Sequence, residues 1–332
     1  MTSQYETKRL ITFDRIKIKS NYKYLLNTKV KFNEMFHSRS GEKIGIFYSS
    51  KDDINIPYNL YIAVSYIKQT LTLEFSSKIL KEKYPDLISR DTIKECLTNI
   101  NQLNICDIDV DSILSNGAIT SVDVTYDANL ILSDNLLDAL NSQVNNYRRF
   151  KWAHYDKEGI MFTKDVKSKD CTETITLYNK EKEICTSHNK DFLNSLSQPQ
   201  SVIDYFKEKT RFEITLDTPK KIMKYLNLTD TKIFSVLNSD TNPILAQFDK
   251  VFGNSTANMP NTTFDDYENW AMKIILERYN GDLKLLEQDV RSKFSSRSGA
   301  TKRMKKFETV YHAMTSFSFA PEKDNVVDVY KS

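Results

Sequence analysis

Glycine is scarce in this 332-residue chain: there are seven, and none lies in a GxxxxGK[ST] phosphate loop or a GxGxxG turn. ATP hydrolysis and dinucleotide binding therefore have no sequence support. The four histidines (His37, His154, His188, His312) are scattered, with no His-x-His or HExxH pair, so an imidazole metal site would have to be assembled from distant segments. The four cysteines (Cys96, Cys106, Cys171, Cys185) show no CxxC spacing, which argues against zinc and for free thiols in a reducing cytoplasm. No long uncharged apolar run is present, so no membrane-spanning helix is expected. The first residues, Met1-Thr-Ser-Gln-Tyr-Glu-Thr-Lys-Arg9, lack the apolar stretch of a signal peptide. The expectation is a cytoplasmic protein without a membrane partner.

What is present suits a globular fold. Hydrophobic residues make up 40% of the chain and aromatics 11%, enough for a real core, while 27% charged residues and a net charge of only +3 exclude a disordered chain. The length allows two ordinary domains or one large one. Five segments alternate polar and apolar residues as half-buried strands do: Asp14–Ser20, Leu71–Ser76, Val122–Asp127, Thr174–Tyr178 and Arg211–Leu216. Helical spacing predicts a helix with Ile93, Cys96, Leu97 and Ile100 on one stripe and Asp91 as its N-cap. Ser133 can cap a second, with Leu136, Leu137, Leu140 and Val144 as its apolar side, and Thr218-Pro219 starts a third. Residues 164–170 read as a loop. Beyond Thr218 strand signals fade, and Phe264–Tyr279, Asp282–Phe294 and Thr301–Met314 read as helices, with Gly281 punctuating the first pair. The fold expected is α+β, a mostly antiparallel sheet with helices on one face, followed by a helical C-terminal part. The boundary falls near residue 225, giving regions 1–225 and 226–332.

Successive strand residues point to opposite sheet faces, so alternation predicts which groups share a side. Ile175, Leu177, Phe212, Ile214, Leu216, Val122, Val124 and Tyr126 face a core. Tyr178 with Lys180, Glu213 with Arg211, and Asp123 with Asp127 face the other way. If these strands are neighbours, one face carries a tyrosine, a lysine and several carboxylates, the inventory for metal-assisted phosphodiester cleavage by a tyrosine. A phenol, with a pKa of about 10, needs a nearby cation or base to act as a nucleophile. Lys180 would supply the cation. Asp123 and Glu213, with Glu183 or Glu74, would hold a divalent ion, and oxygen-only ligands imply Mg²⁺ or Mn²⁺. A plainer reading competes. The chain has 18 tyrosines, so a strand tyrosine is ordinarily structural, and Asp123 and Glu213 can be solvated acids paired with Arg211 or Lys180. Asp107, Asp109 and Asp111 alternate but lack an EF-hand's glycine turn and terminal glutamate, and read as a loop or strand edge.

From Arg291 to Lys306 lie seven cations (Arg291, Lys293, Arg297, Lys302, Arg303, Lys305 and Lys306) with no acid between them. Small hydroxyl residues interleave, as suits phosphate contacts; the alternative is a solvated helical surface.

Three motifs, Ile119-Thr-Ser-Val-Asp123-Val-Thr-Tyr-Asp127, Leu177-Tyr178-Asn-Lys180-Glu-Lys-Glu183 and Thr210-Arg211-Phe-Glu213-Ile-Thr-Leu216, occur in the order found in rolling-circle replication initiators. Over residues 70–225 the chain resembles the initiators of filamentous phages (Phage_CRI) and of the trans-acting plasmid type (Rep_trans). Leu71–Lys78 looks like an upstream strand of the phage members. The resemblance implies a site-specific nickase that starts rolling-circle replication of a phage, plasmid or integrated element through a phosphotyrosine intermediate. Tyr178 matches the nucleophile, Asp123 and Glu213 the metal ligands, and Lys180 and Glu183 the flanking pair. In phage members a tyrosine proposed to nick lies between the Tyr-x-Lys and Arg-x-Glu motifs. His188 stands there in this chain, which leaves Tyr178, Tyr205 or a chain that does not cut. The partners implied are origin DNA as duplex or hairpin, its single-stranded product, and a host helicase and polymerase, with a homodimer as one assembly. The other readings are a non-cutting DNA-binding initiator or regulator and a mobilisation relaxase.

Overall fold

A computed structural model of the chain describes residues 11–132, 150–155, 159–164, 174–241, 243–244, 272, 275–276, 279, 282–293 and 296–317. The order is β1 (Phe13–Asn21), β2 (Leu25–Thr28), β3 (Asn33–Phe36), β4 (Lys43–Ser49), β5 (Leu60–Ser65), β6 (Thr70–Ser76), 3-10 turns over Ser77–Asp86, α1 (Ile93–Gln102), β7 (Cys106–Ile108), α2 (Val110–Asn116) and β8 (Ala118–Ala128). There follow β9 (Phe150–Tyr155), β10 (Gly159–Lys164), β11 (Thr174–Asn179), α3 (Lys180–Ile184), α4 (Lys190–Asn194), α5 (Pro199–Phe206), β12 (Thr210–Leu216), α6 (Pro219–Leu226), α7 (Ile233–Leu237), α8 (Leu283–Lys293) and α9 (Arg297–Phe317).

Ten strands form one sheet in the order β3-β4-β5-β6-β1-β8-β12-β11-β10-β9, and β2 pairs with β7 apart from it. Every pairing from β3 through to β10 is antiparallel. The class is α+β, as expected. The five strands expected from alternation are the contiguous block β6-β1-β8-β12-β11. In register, Ile16 faces Phe75 and Val122, and Val122 faces Leu216, so one side of the block is a continuous apolar layer. Ile16, Ile18, Leu73, Val122, Phe212 and Leu177 are all essentially inaccessible. Each such side chain contributes about 1.5–3 kcal/mol. Gly117 marks where helices close on this layer. A Cβ there would sit 2.5 Å from the Ile113 carbonyl oxygen of α2 and 2.9 Å from Ile233 Cδ1 of α7, beside Ile18 at 3.1 Å.

The opposite, polar side is also covered at one end, by the 3-10 turns over Ser77–Asp86 packing on α5 and by α3 on β11 and β12. A bulge in β1 matters here. Phe13 pairs with Val124 and Arg15 with Asp123, so one extra residue enters β1 between them. Asp14 and Arg15 both reach the polar side in consequence, where alternation alone would separate them.

Thr218 caps α6 through the Lys221 amide, with Pro219 at the first helical position, as expected. Asp91 does not cap α1. Thr92 holds that place, and its hydroxyl is turned back to Leu87 and the Ser89 amide. Asp107, Asp109 and Asp111 belong to β7, the cap of α2 and its first turn; Asp107 binds Lys29, and Asp109 accepts from the Ser112 amide. The helix expected after Ser133 and most of the loop expected over 164–170 lie outside the described residues. Among the described residues no helix is long and apolar enough to cross a membrane.

The chain divides into two compact units, residues 1–132 with 153–247, and residues 133–152 with 248–332. The first therefore runs beyond residue 225 and includes α7. The second has its own apolar cluster, in which Leu286 and Val290 of α8 meet Ala300, Met304, Phe307 and Val310 of α9. Asp282 caps α8 at the Lys284 and Leu285 amides.

Replacing Thr218 with Ala removes the cap of α6 and is expected to lower stability by about 1 kcal/mol, read as a lower urea midpoint with unchanged slope.

Candidate active site on the polar sheet face

Tyr178 of β11, Arg211 of β12 and Asp127 of β8 stand in one cross-strand row, and Thr176, Glu213 and Thr125 in the next. Arg211 is wholly buried. Its Nε and Nη2 donate to the two Asp127 oxygens at 2.6 and 2.8 Å, and its Nη1 donates to Asp14 Oδ1 at 3.1 Å and Tyr84 Oη at 2.8 Å. The guanidinium also lies 5.3 Å from the Tyr84 ring centre and 5.2 Å from that of Phe206. A buried guanidinium is tolerated when its donors are met in this way. Burial alone would raise the Asp14 carboxyl; the charges of Arg211 and then Lys180 outweigh it and hold Asp14 below its ordinary range.

The Tyr178 hydroxyl donates to Glu213 Oε1 at 2.8 Å. Burial, then the charge of Glu213, pushes the Tyr178 phenol well above its ordinary value. Glu213 keeps part of its surface open, yet packing around its carboxyl, then the charges of Asp14 and Asp123, raise it to about 7. Sequence alternation placed Tyr178, Arg211 and Glu213 on this side, and they are there.

Lys180 arrives by another route than strand alternation. Asn179 ends β11 and caps α3 by accepting from the Lys182 amide at 2.9 Å, so Lys180 opens a helix. Its buried amine lies 5.2, 5.4 and 5.6 Å from the ring centres of Tyr84, Phe206 and Tyr178, and it is bonded to Glu183 one helical turn away. Asn189 holds Glu183 in turn, donating to its Oε1 at 3.0 Å, and accepts from Lys78 Nζ at 2.5 Å.

Asp123 is taken by Arg15, whose Nε and Nη2 reach it at 2.7 and 3.0 Å, while Glu74 accepts from Arg15 and Lys17, each at 2.9 Å. Asp123 and Glu183 thus each face a cation, and Glu213 faces a phenol. Among the described residues no three His, Cys, Asp or Glu side chains converge to chelate one ion. His188 is exposed on a 3-10 turn. Tyr205 is 39% exposed on α5, with Lys209 Nζ 4.5 Å from its ring centre. Sequence reasoning did not assign Asp14, Arg15, Lys78, Tyr84 or Asn189 to the site. Only Arg15 carried a signal, as the first of three cations spaced by two along β1.

In the C-terminal unit, two of the seven cations have acids one helical turn back. Arg291 binds Glu287 at 2.5 Å and Lys293 binds Asp289 at 2.6 Å, both acids lying just before the acid-free stretch. Arg297, Lys302, Lys305 and Lys306 are exposed along α9, and Arg303 is half-buried.

Residues 87–235 match the Phage_CRI family, described as the N-terminal part of a replication-associated protein. The match runs from just before α1 into α7 and contains Asp123, Tyr178, Lys180, Glu183, Arg211 and Glu213; β1 to β6, with Asp14 and Arg15, lie before it. It supports the resemblance to rolling-circle replication initiators and associates the chain with replication. A search of curated proteins finds no match.

Glu213 gives stability a pH signature. Between its ordinary 4.5 and about 7 the unfolded chain has released this proton while the native chain keeps it. Its contribution is therefore full below 4.5 and is lost as the pH rises toward 7. In urea unfolding with chelator present, Glu213→Gln is expected to flatten the fall in stability between pH 5 and 7.5; an unchanged slope contradicts the raised value.

Proposed function

We propose that this chain is a replication initiator that nicks one strand of origin DNA through Tyr178. The observation that carries the reading is the Tyr178–Glu213 hydrogen bond, within a layer of arginine, lysine and carboxylates on the sheet region that matches the replication-associated family. The Tyr178 oxygen bonds to phosphorus as the bond to one deoxyribose oxygen breaks. Glu213, with a pKa near neutrality, takes the phenol proton. The departing deoxyribose oxygen takes a proton from solvent, so the products are a phosphotyrosine on one DNA end and a free hydroxyl on the other, and the retained bond allows religation without ATP. Because Tyr178 is buried, in a cluster where the Lys180 amine lies near its ring and those of Tyr84 and Phe206, the packing around it has to open for phosphate to reach it.

Mg²⁺ or Mn²⁺ fits the donor chemistry, which is oxygen only. Glu213 and Asp123 would hold the ion, with Glu183 joining on release from Lys180; Arg15 competes for Asp123. A bound ion would polarise the phosphate and relieve the crowding of negative charge around Glu213.

Incubation of the protein with supercoiled origin plasmid and Mn²⁺ is expected to give open circles and a covalent DNA–protein adduct, both lost in Tyr178→Phe with DNA binding retained. A second reading rests on the exposure of Tyr205 and the cation over its ring. An adduct that survives Tyr178→Phe and disappears in Tyr205→Phe moves the nucleophile there. No adduct with any metal favours an initiator that binds without cutting.

The exposed cations of α9, Arg297, Lys302, Lys305 and Lys306, are assigned to phosphate contacts. Lys302→Gln with Lys305→Gln is expected to weaken duplex binding for all sequences alike and to reduce the salt slope by about 2. An unchanged slope removes α9 from the interface.

A further inference from the structure

The polar sheet face does not end at the tyrosine cluster. It continues across β1, β6, β5 and β4, and there its composition changes. Lys17 stands opposite Glu74, and Glu74 opposite Tyr61. Lys19 stands opposite Thr72, Thr72 opposite Ala63, and Ala63 opposite Phe47. The Phe47 and Tyr61 rings meet diagonally, with centroids 6.0 Å apart and planes at 33°. Both are half-buried, and Lys19 is exposed. Among the described residues neither the Lys19 amine nor the Tyr61 hydroxyl has a partner. The one acid in this area, Glu74, is neutralised by Arg15 and Lys17. From Arg15 to Lys31 the chain has six cations and no acid, of which Arg15, Lys17 and Lys29 are paired with acids from elsewhere in the chain.

Two partly open rings on a sheet face, beside an unopposed Lys19 and a Lys17 that shares Glu74 with Arg15, match one chemistry closely. Unpaired bases offer π faces to aromatic rings while their phosphates meet lysines. Paired bases are already stacked on one another and offer no free π face to the rings. We propose that this β1-β6-β5-β4 surface binds single-stranded DNA, with bases stacked on Phe47 and Tyr61 and phosphates at Lys17 and Lys19. The inference rests on the proposed function in placing DNA on this side of the sheet. Tyr61 on β5 is four strands from Glu213 on β12, and its row meets β8 at Ser121 where that of Glu213 meets it at Thr125; at ~4.8 Å per strand and ~3.4 Å per residue the two are roughly 23 Å apart, so a few nucleotides link the two places. The surface would hold the strand beside the phosphate to be attacked, and it lies outside the family match, which begins at residue 87.

The test is fluorescence anisotropy of the full chain with a labelled oligothymidylate, in chelator so that no scission occurs. Stacking energies predict roughly tenfold weaker binding for each ring lost, so Phe47→Ala with Tyr61→Ala is expected to weaken binding about a hundredfold. Phe47→Tyr with Tyr61→Phe is expected to preserve it. Lys19→Gln should weaken it a few fold and make its salt dependence shallower. Binding to duplex of equal length should be indifferent to the rings. If the alanine pair melts early, Phe47→Leu with Tyr61→Leu retains bulk without the π face and repeats the test. A well-folded ring variant that binds oligothymidylate as the parent does overturns the inference. So does an equal loss toward duplex, or tighter ring-dependent binding of oligouridylate. The two readings separate cleanly: ring-dependent binding without any adduct removes scission alone, and adduct formation with ring-independent binding removes this surface alone.

Discussion

A single buried cation organises the polar side of the sheet. Arg211 has no solvent to satisfy it, so its donors dictate where Asp127, Asp14 and Tyr84 lie. Removing one partner from such a group leaves an uncompensated buried charge, which costs about 3–5 kcal/mol. Those partners come from β8, β1 and the 3-10 turns after β6, so one side chain of β12 ties three other segments to its own strand. Tyr178, one strand over in the same row, inherits its position from this arrangement. Glu213 owes its raised pKa first to burial and then to the charge of Asp14, which Arg211 holds in place.

The central block was legible because it obeys a simple constraint. β1, β6, β8, β11 and β12 each carry apolar side chains on one side and mostly polar ones on the other, and a two-residue period in the sequence reports that directly. The flanking strands did not show it. β5 reads Leu60-Tyr-Ile-Ala-Val-Ser65 with consecutive buried residues at Ile62, Ala63 and Val64, and β4 contains Gly45, whose missing Cβ makes room for the Val64 carbonyl oxygen 2.2 Å away. Neither feature has a clean alternating signature.

In the site, Tyr178, Arg211 and Glu213 followed from parity. The failures have three distinct physical origins. A bulge shifted parity at Asp14. A capping side chain, Asn179, ended a strand one residue early and turned Lys180 into a helical residue that still reaches the same layer. Tyr84 and Asn189 come from segments with no period of their own, brought in by packing that only the assembled fold reveals. The basic stretch teaches a smaller lesson: acids one turn before Arg291 and Lys293 reduce its unopposed charge, though a window starting at Arg291 does not see them.

The bulged first strand has a consequence for biosynthesis. β1 lies in the interior of the sheet, yet its partner β8 begins about a hundred residues later in the chain, and the bond between Asp14 and Arg211 spans 197 positions. Pairing at such separation is slow because the loop must close first. An emerging polypeptide therefore keeps Asp14 and Asp127 without their counter-ion until β12 has left the ribosome. A chain interrupted before Arg211 would carry Tyr178 but lack the groups that orient it. The order of synthesis thus leaves Tyr178 without its Glu213 partner until the last strand of the central block has been made.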